Sequence, residues 1–471
     1  MSYSNSFNSI ASPVGASGQA LPLAARPKIG LLDHMGGGNL GDDATQAAVI
    51  SKIKNRWPDA DIYGFSLNPD DTRTRHGIPA YAIRTKTWSL GNDAGNESMG
   101  PEQKSWAALR RVPLVFWPLK AIYTVLVRAP RALFREFRFL TKSLDILRSF
   151  NLLIINGGGQ LTEAWGGPWK FPYTIFKWTL LARMAHVKCI VLNVGAGPLN
   201  HPISKYFVRH ALLSRDYVSF RDEQSRALAC DIGFKGKSDV FPDSAYGLDL
   251  TGLPTGRSGR EKSPIVGFAP MAYADPRVDQ KSKPGTYADL IRTLGLFGSW
   301  LIEHDYSLSL FCSDIGIDPP TIADLALMLR EQSGAELAQR ITAPRVKSID
   351  DLLRAISLMD YVVTCRFHGV IFAHLLNKPV LALAHHPKVS TLMADLGLQQ
   401  YCLDIRTCDA DALQKTFISL IKNKDEIKSR MAERLACYRE QLATQFDTLF
   451  PPICVERPDT NELRRQENEC A

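Results

Sequence analysis

The residues of this chain best suited to chemistry lie in the run Arg366-Phe367-His368-Gly369, directly after the apolar segment 361–365. A guanidinium fork matches a carboxylate or phosphate, and an imidazole can move a proton near neutral pH. Arg366 and His368 alternate at the end of an extended segment, so they can share one side of it. His368 also opens an apolar helical stretch, where a helix N-terminus disfavours a charged ring and welcomes an anion. A lone histidine is more often structural than catalytic. A cation beside it at a strand end shifts the balance toward acid chemistry on an anionic substrate.

Four further stations have the same character. Arg221 follows the apolar segment 217–220 and precedes Asp222; its fork suits an anion, or pairs with that neighbour or another carboxylate. Lys388, after His385-His386-Pro387, follows the segment 380–383 and can reach an anion in the same cleft. The run Gly36-Gly37-Gly38-Asn39-Leu40-Gly41-Asp42-Asp43 lies between a strand and a helix. Its glycines permit close backbone approach to a ligand, and the helix start offers free N–H groups. Asp42 and Asp43 equally suit helix capping. The run is neither a dinucleotide fingerprint nor a Walker A loop. The fourth station is Asn156-Gly157-Gly158-Gly159-Gln160, which either meets a substrate or makes a tight strand-to-helix turn. Histidines 368, 385 and 386 lack the carboxylates or thiolates that complete a metal site, so no metal is expected.

These stations need strands that end together. Short apolar segments alternate with helical patterns in two blocks, which argues for parallel sheets built from βαβ units. The first block has expected strands at 28–33, 61–67, 151–156, 189–194, 217–220 and near 240. Its expected helices span 44–56, 173–186, 203–214 and 223–231. The second block has strands at 265–269, 307–311, 340–341, 361–364 and 380–383. The expected fold class is therefore α/β, with two Rossmann-like domains facing a cleft. Residues 27–248 form the first domain, with an insert at 85–150. Residues 249–264, rich in glycine, proline and charge, form a linker, and 265–455 form the second domain. The tail 1–26 is expected to be disordered and not a signal peptide, and 456–471 is a frayed charged tail.

In their order and strand contexts, Gly38-Asn39-x-Gly41-Asp42, Gly157 to Gly159, Arg221-Asp222, Arg366-Phe367-His368-Gly369 and Pro387-Lys388 resemble the polysaccharide pyruvyl transferase family. The match covers most of residues 28–400. The resemblance implies a fold similar to B-type glycosyltransferases. It also implies phosphoenolpyruvate (PEP) as a donor held mainly by the second domain, and a sugar or lipid-linked acceptor on the first. His368 becomes the general acid. Arg221, Arg366 and Lys388 hold the donor's charges, and Asn39, Asp42, Gly158 and Gly159 line the substrates. The family often carries an acidic residue before the Pro-Lys pair, where this chain has His386. PEP is a co-substrate, and no metal or redox cofactor is required. A nucleotide-sugar glycosyltransferase is the alternative of the same architecture, but no acidic ribose ligand is evident after Val266.

The chain has 471 residues, 22% of them charged, with a net charge of +8. That balance fits an anionic partner such as phosphate or an acidic membrane surface; no nucleic acid is expected. Nine scattered cysteines without C-x-x-C spacing point to free thiols and a cytoplasmic, reducing setting. No apolar run is long enough to span a bilayer. Within the insert, residues 110–142 mix aromatic and aliphatic side chains with basic ones and a single acid, Glu136. Such a stretch forms either an amphipathic membrane-surface anchor or a helical hairpin packed on the protein.

Overall fold

The computed structural model describes residues 26–451 except 34–35, 86–122, 124–125, 128, 214, 255–262 and 281. The expected N-terminal and C-terminal tails, half of the linker and most of the insert lie outside the described residues.

Runs such as Leu152-Leu153-Ile154-Ile155 are apolar at every position, as strands covered on both faces must be. Seven strands form the first sheet: β1 (Lys28–Leu32), β2 (Asp61–Ser66), β3 (Ala80–Ala82), β4 (Leu152–Asn156), β5 (Lys188–Val194), β6 (Tyr217–Phe220) and β7 (Asp239–Val240). Its helices are α1 (Leu40–Arg56), α2 (Pro69–His76), α3 (Ala129–Leu147), α4 (Phe171–Met184), α5 (Pro202–Leu213) and α6 (Glu223–Asp231). The second sheet contains β8 (Ile265–Ala269), β9 (Ser307–Leu310), β10 (Ile341–Thr342), β11 (Tyr361–Thr364), β12 (Val380–Ala384) and β13 (Cys402–Asp404). Around it lie α7 (Thr286–Glu303), α8 (Pro319–Leu337), α9 (Ile349–Ser357), α10 (Phe367–Leu375), α11 (Pro387–Asp395), α12 (Ala410–Lys422) and α13 (Lys424–Leu449).

The strand orders are β3-β2-β1-β4-β5-β6-β7 and β10-β9-β8-β11-β12-β13, and the pairs are parallel. Both sheets reverse direction of build-up beside their first strand, between β1 and β4 and between β8 and β11. In open α/β sheets such a switch point opens a crevice beyond the strands' carboxyl ends. The glycine station follows β4, and Arg366 follows β11.

Two departures from the sequence expectation bear on how the domains meet. Helix α1 begins at Leu40 and not near 44, because Asn39 caps it through a 3.0 Å bond from the Gly41 N–H. Gly41, Asp42 and Asp43 therefore form its first turn. At the other end, α13 returns to the first domain. Phe446, Leu449 and Phe450 pack with Ile29, Leu31 and Ile53, and the Trp57 indole donates to the Pro451 carbonyl at 2.9 Å. The strap belongs to the first domain's core although it follows the second domain in sequence. Truncating Phe450 to alanine would remove about 3–5 kcal/mol of that packing.

Candidate active site

From the second domain, β11 ends at Thr364 and α10 begins at Phe367. The extended alternation stops there, so Arg366 and His368 take different partners instead of sharing one side. Arg366 forks onto Asp318, with Nε to Oδ2 at 2.8 Å and Nη2 to Oδ1 at 2.5 Å, and lies 3.4 Å from Asp314 Oδ2. Asp318 is fully buried and also accepts the Ala272 N–H at 3.0 Å. The Arg366 charge is thus matched by two aspartates of its own domain. That bidentate engagement separates it from Lys388, also expected to hold the donor, which has no ion pair among the described residues. Burial pushes the Asp314 carboxyl up to about 6, with Arg366 pulling the other way.

His368 instead turns toward the first domain. Its ring packs on Gly41 so closely that any side chain there would collide with it. Its Nε2 is 3.9 Å from Oδ2 of Asp243 and has no hydrogen-bond partner among the described residues. Burial lowers its pKa to about 4; nearby Arg221, Lys388 and Arg366 add to that effect, and Asp243 opposes it.

From the first domain, Arg221 follows β6. Gly195 leaves room for its guanidinium, which a side chain at that position would strike. Arg221 Nη1 donates to Asp243 Oδ2 at 3.3 Å. Asp222, the partner suggested by adjacency, keeps its Oδ2 3.5 Å from Arg221 Nε and also caps α6 through a 2.7 Å bond from the Ser225 N–H. The Arg221 Cζ stands 4.3 Å from the centroid of Phe367, across the domain boundary. Its buried Nε has no hydrogen-bond partner among the described residues. Lys388 lies in the first turn of α11, which is capped by His386. Its Nζ is 5.9 Å from the same Phe367 ring. Burial and then Arg221 bring Lys388 down to about 8. Among the described residues, no carboxylate lies within ion-pair distance of it. His385 Nδ1 is 3.1 Å from the Cys365 carbonyl.

The glycine stations supply walls. Asn39 is spent on capping, and its loop bonds to the second domain through Leu40 N–H to Ser313 O at 2.8 Å and Ile315 N–H to Gly38 O at 2.9 Å. Asp42 is raised to about 7, chiefly by burial and by Asp43, with Lys388 and Arg221 holding it down. Gly158, at φ +62°, lies against Asp42 and Asp33, and only a glycine rests there without strain. Gly159 faces open space. Behind them a buried network joins Asp33 to Gln46 and Gln160, the latter at 2.7 Å.

Sequence reasoning missed Asp243, which binds Arg221, approaches His368 and accepts from Thr45 Oγ1 at 3.3 Å and the Ala245 N–H at 3.0 Å. It also missed Phe367 as the ring beneath two cations, and Asp314 and Asp318 as Arg366's partners. The Pro242-Asp243-Ser244 turn just past the strand near 240 was the available signal for Asp243.

A polysaccharide pyruvyl transferase family model matches residues 39–387, from the α1 cap to the start of α11. The chain belongs to the polysaccharide pyruvyl transferase family. It is therefore a transferase of polysaccharide biosynthesis. The match takes in Arg221, Asp243, Arg366 and His368, and stops one residue short of Lys388. Among solved structures, the transferase is similar to a protein assigned as a UDP-N-acetylglucosamine 2-epimerase from Listeria monocytogenes. That pair has 13% identity and a TM-score of 0.53, covering 86% of this chain and 91% of the other. It is also similar to the UDP-GlcNAc 2-epimerase of Methanocaldococcus jannaschii, at 10% identity and TM-score 0.50, covering 83% and 91%. At these identities the likeness establishes the fold alone: two Rossmann-like domains in the arrangement of B-type glycosyltransferases. No curated protein matches the sequence.

Proposed function

We propose that this transferase moves the enolpyruvyl carbons of PEP onto two hydroxyls of a sugar, in a cell-surface polysaccharide or its lipid-linked precursor, as a cyclic ketal. The observation that carries this reading is the convergence of Arg221 and Lys388, from different domains, on Phe367 beside His368. Lys388, with no carboxylate within ion-pair distance among the described residues, and the Arg221 Nε, which makes no hydrogen bond among them, suit a small, highly charged donor.

The reaction consists of proton moves around that donor. A proton goes to C3 of PEP, leaving an oxocarbenium-like centre at C2. A sugar hydroxyl adds to C2 and loses its own proton. A second hydroxyl then displaces phosphate, which departs with the second hydroxyl's proton. His368 is the acid for C3. It is neutral in the empty site, and the donor's negative charge favours its protonated form. Asp42, close to neutrality in pKa, holds a second exchangeable proton beside the cluster. Arg221 and Lys388 hold the carboxylate and the departing phosphate. Arg366 serves this site by fixing the β11–α10 turn that carries Phe367 and His368. Buried free thiols at Cys189, Cys312 and Cys365 support a cytoplasmic setting.

Titration calorimetry with PEP and with UDP tests the donor. The reading expects heat from PEP that is lost in Arg221→Ala. Binding of UDP with none of PEP would replace it with the nucleotide-sugar alternative.

A further inference from the structure

We propose that the helical layer α3–α4–α5 docks the protein on an anionic lipid surface, with α3 lying in the headgroup plane. The inner side of this layer covers one face of the first sheet, where Leu147, Trp178 and Val208 pack with Leu153 and Ile155. Its outer side is unusually apolar. Leu133, Phe134 and Phe137 are 71%, 62% and 63% exposed along one strip of α3. Trp169 and Met184 on and before α4, and Tyr206 on α5, extend that surface across neighbouring helices. Of the sixteen exposed large apolar side chains among the described residues, eleven belong to this layer or to the segments leading into it. The other five are scattered singly over the rest of the chain. Single exposed apolar residues need no explanation, but a concentration of them on one face marks an interaction site.

The charge beside this strip identifies the occupant. Arg131, Arg135, Arg138 and Lys142 are exposed, and their spacing of three to four residues sets them in a second strip along α3. Among the described residues none of the four pairs with a carboxylate. The acids nearby are engaged: Glu136 bonds Lys177 at 2.9 Å, Asp145 bonds Arg148 at 2.8 Å, and Glu163 accepts from the Asn200 N–H at 2.7 Å. A second copy of the same face would set like charges against each other. An anionic bilayer accepts both strips, with aromatic and aliphatic side chains at the acyl boundary and cations at the headgroups. The sequence entering α3, residues 110–128, has the same composition, with four basic residues and no acid. No helix among the described residues is long and apolar enough to cross a membrane, so the contact lies at the interface. The candidate active site is at the strand ends, off this layer.

The test is sedimentation of the full chain with vesicles of phosphatidylcholine, alone or mixed with phosphatidylglycerol. The protein should pellet with the mixed vesicles and not with phosphatidylcholine alone, and salt should release it. Arg131→Gln/Arg135→Gln/Arg138→Gln should lower partitioning about fivefold per charge removed. Phe134→Ser/Phe137→Ser should lower it independently. Melting temperatures should stay at the wild-type value, because all five side chains face outward. Wild type remaining in the supernatant with mixed vesicles overturns the proposal. So does wild-type partitioning by both variants, or a phenylalanine variant whose only effect is to dissociate a dimer.

Discussion

The Nε2 of His368 lies 3.9 Å from Oδ2 of Asp243, and the two residues come from opposite domains. The same oxygen accepts from Arg221. One carboxylate therefore touches both the proposed acid and the proposed anion holder. Closure of the two domains onto each other is what assembles the site.

Asp243→Asn keeps the shape of this junction and removes its charge. Without that charge the His368 pKa falls further, since Asp243 is what opposes the lowering. An acid must be protonated to act, so kcat declines as pH rises through the bound-state pKa. In Asp243→Asn that decline should move to lower pH by about one unit. A pH profile of kcat identical to wild type would show that Asp243 does not set the acid. Asp243→Ala should in addition lose about 1.5–3 kcal/mol of stability, because buried Arg221 loses its charged hydrogen-bond partner.

His368 also makes stability depend on pH, with a defined sign. Its folded pKa, about 4, lies below the ordinary value of 6.5. The neutral ring stabilises the fold fully above pH 6.5, and that contribution is lost as pH falls through about 4. The span corresponds to roughly 3 kcal/mol. His368→Gln cannot titrate, so its unfolding free energy should change less than wild type's between those limits. Denaturant melts at several pH values measure this. Parallel curves for the two proteins would place His368 in an ordinary solvated environment.

Three basic residues named from the sequence should separate into two behaviours. Arg221→Ala and Lys388→Ala should weaken PEP binding by about 1.5–3 kcal/mol each. Arg366→Ala should act mainly on stability, losing about 3–5 kcal/mol as Asp318 and Asp314 lose their partner. Calorimetry and thermal melting on the same three preparations distinguish the roles. Equal loss of PEP affinity in all three, with no fall in melting temperature for Arg366→Ala, would return Arg366 to the donor site.

PEP binding should take up protons above the pH at which its own phosphate has fully ionised. In the proposed donor site His368, Lys388 and Asp42 face negative charge, so each should gain a preference for its protonated form. Calorimetry in buffers of different ionisation enthalpy reads the proton count directly. No uptake would mean that the cluster's protonation is set before the donor arrives.

Much of this was legible in the sequence because buried parallel strands are continuous apolar runs. The strands at 152–156, 189–194 and 361–364 declare themselves, and so do the residues that follow them. Short edge strands do not. Ala80–Ala82 and Cys402–Asp404 carry too few residues to show a pattern, and both lie at sheet edges. The pairing of charges was also hidden. Asp318 is 48 residues from Arg366, and Asp243 is 22 from Arg221, whereas only Asp222, 3.5 Å from Arg221 Nε, is adjacent in sequence. The return of α13 to the first domain had no local signal, because a helix docks wherever its apolar face finds cover.

What leaves the donor separates pyruvyl transfer from nucleotide-sugar chemistry. The protein is incubated with PEP and with polysaccharide or precursor from cells lacking this chain. Inorganic phosphate is measured alongside mass spectrometry of the acceptor, with His368→Gln as a folded control. The proposed reaction should release one phosphate per pyruvate ketal gained, with turnover lower in His368→Gln by about two to four decades. Nucleotide release from a UDP-sugar, with no phosphate from PEP and no ketal on the acceptor, would contradict it.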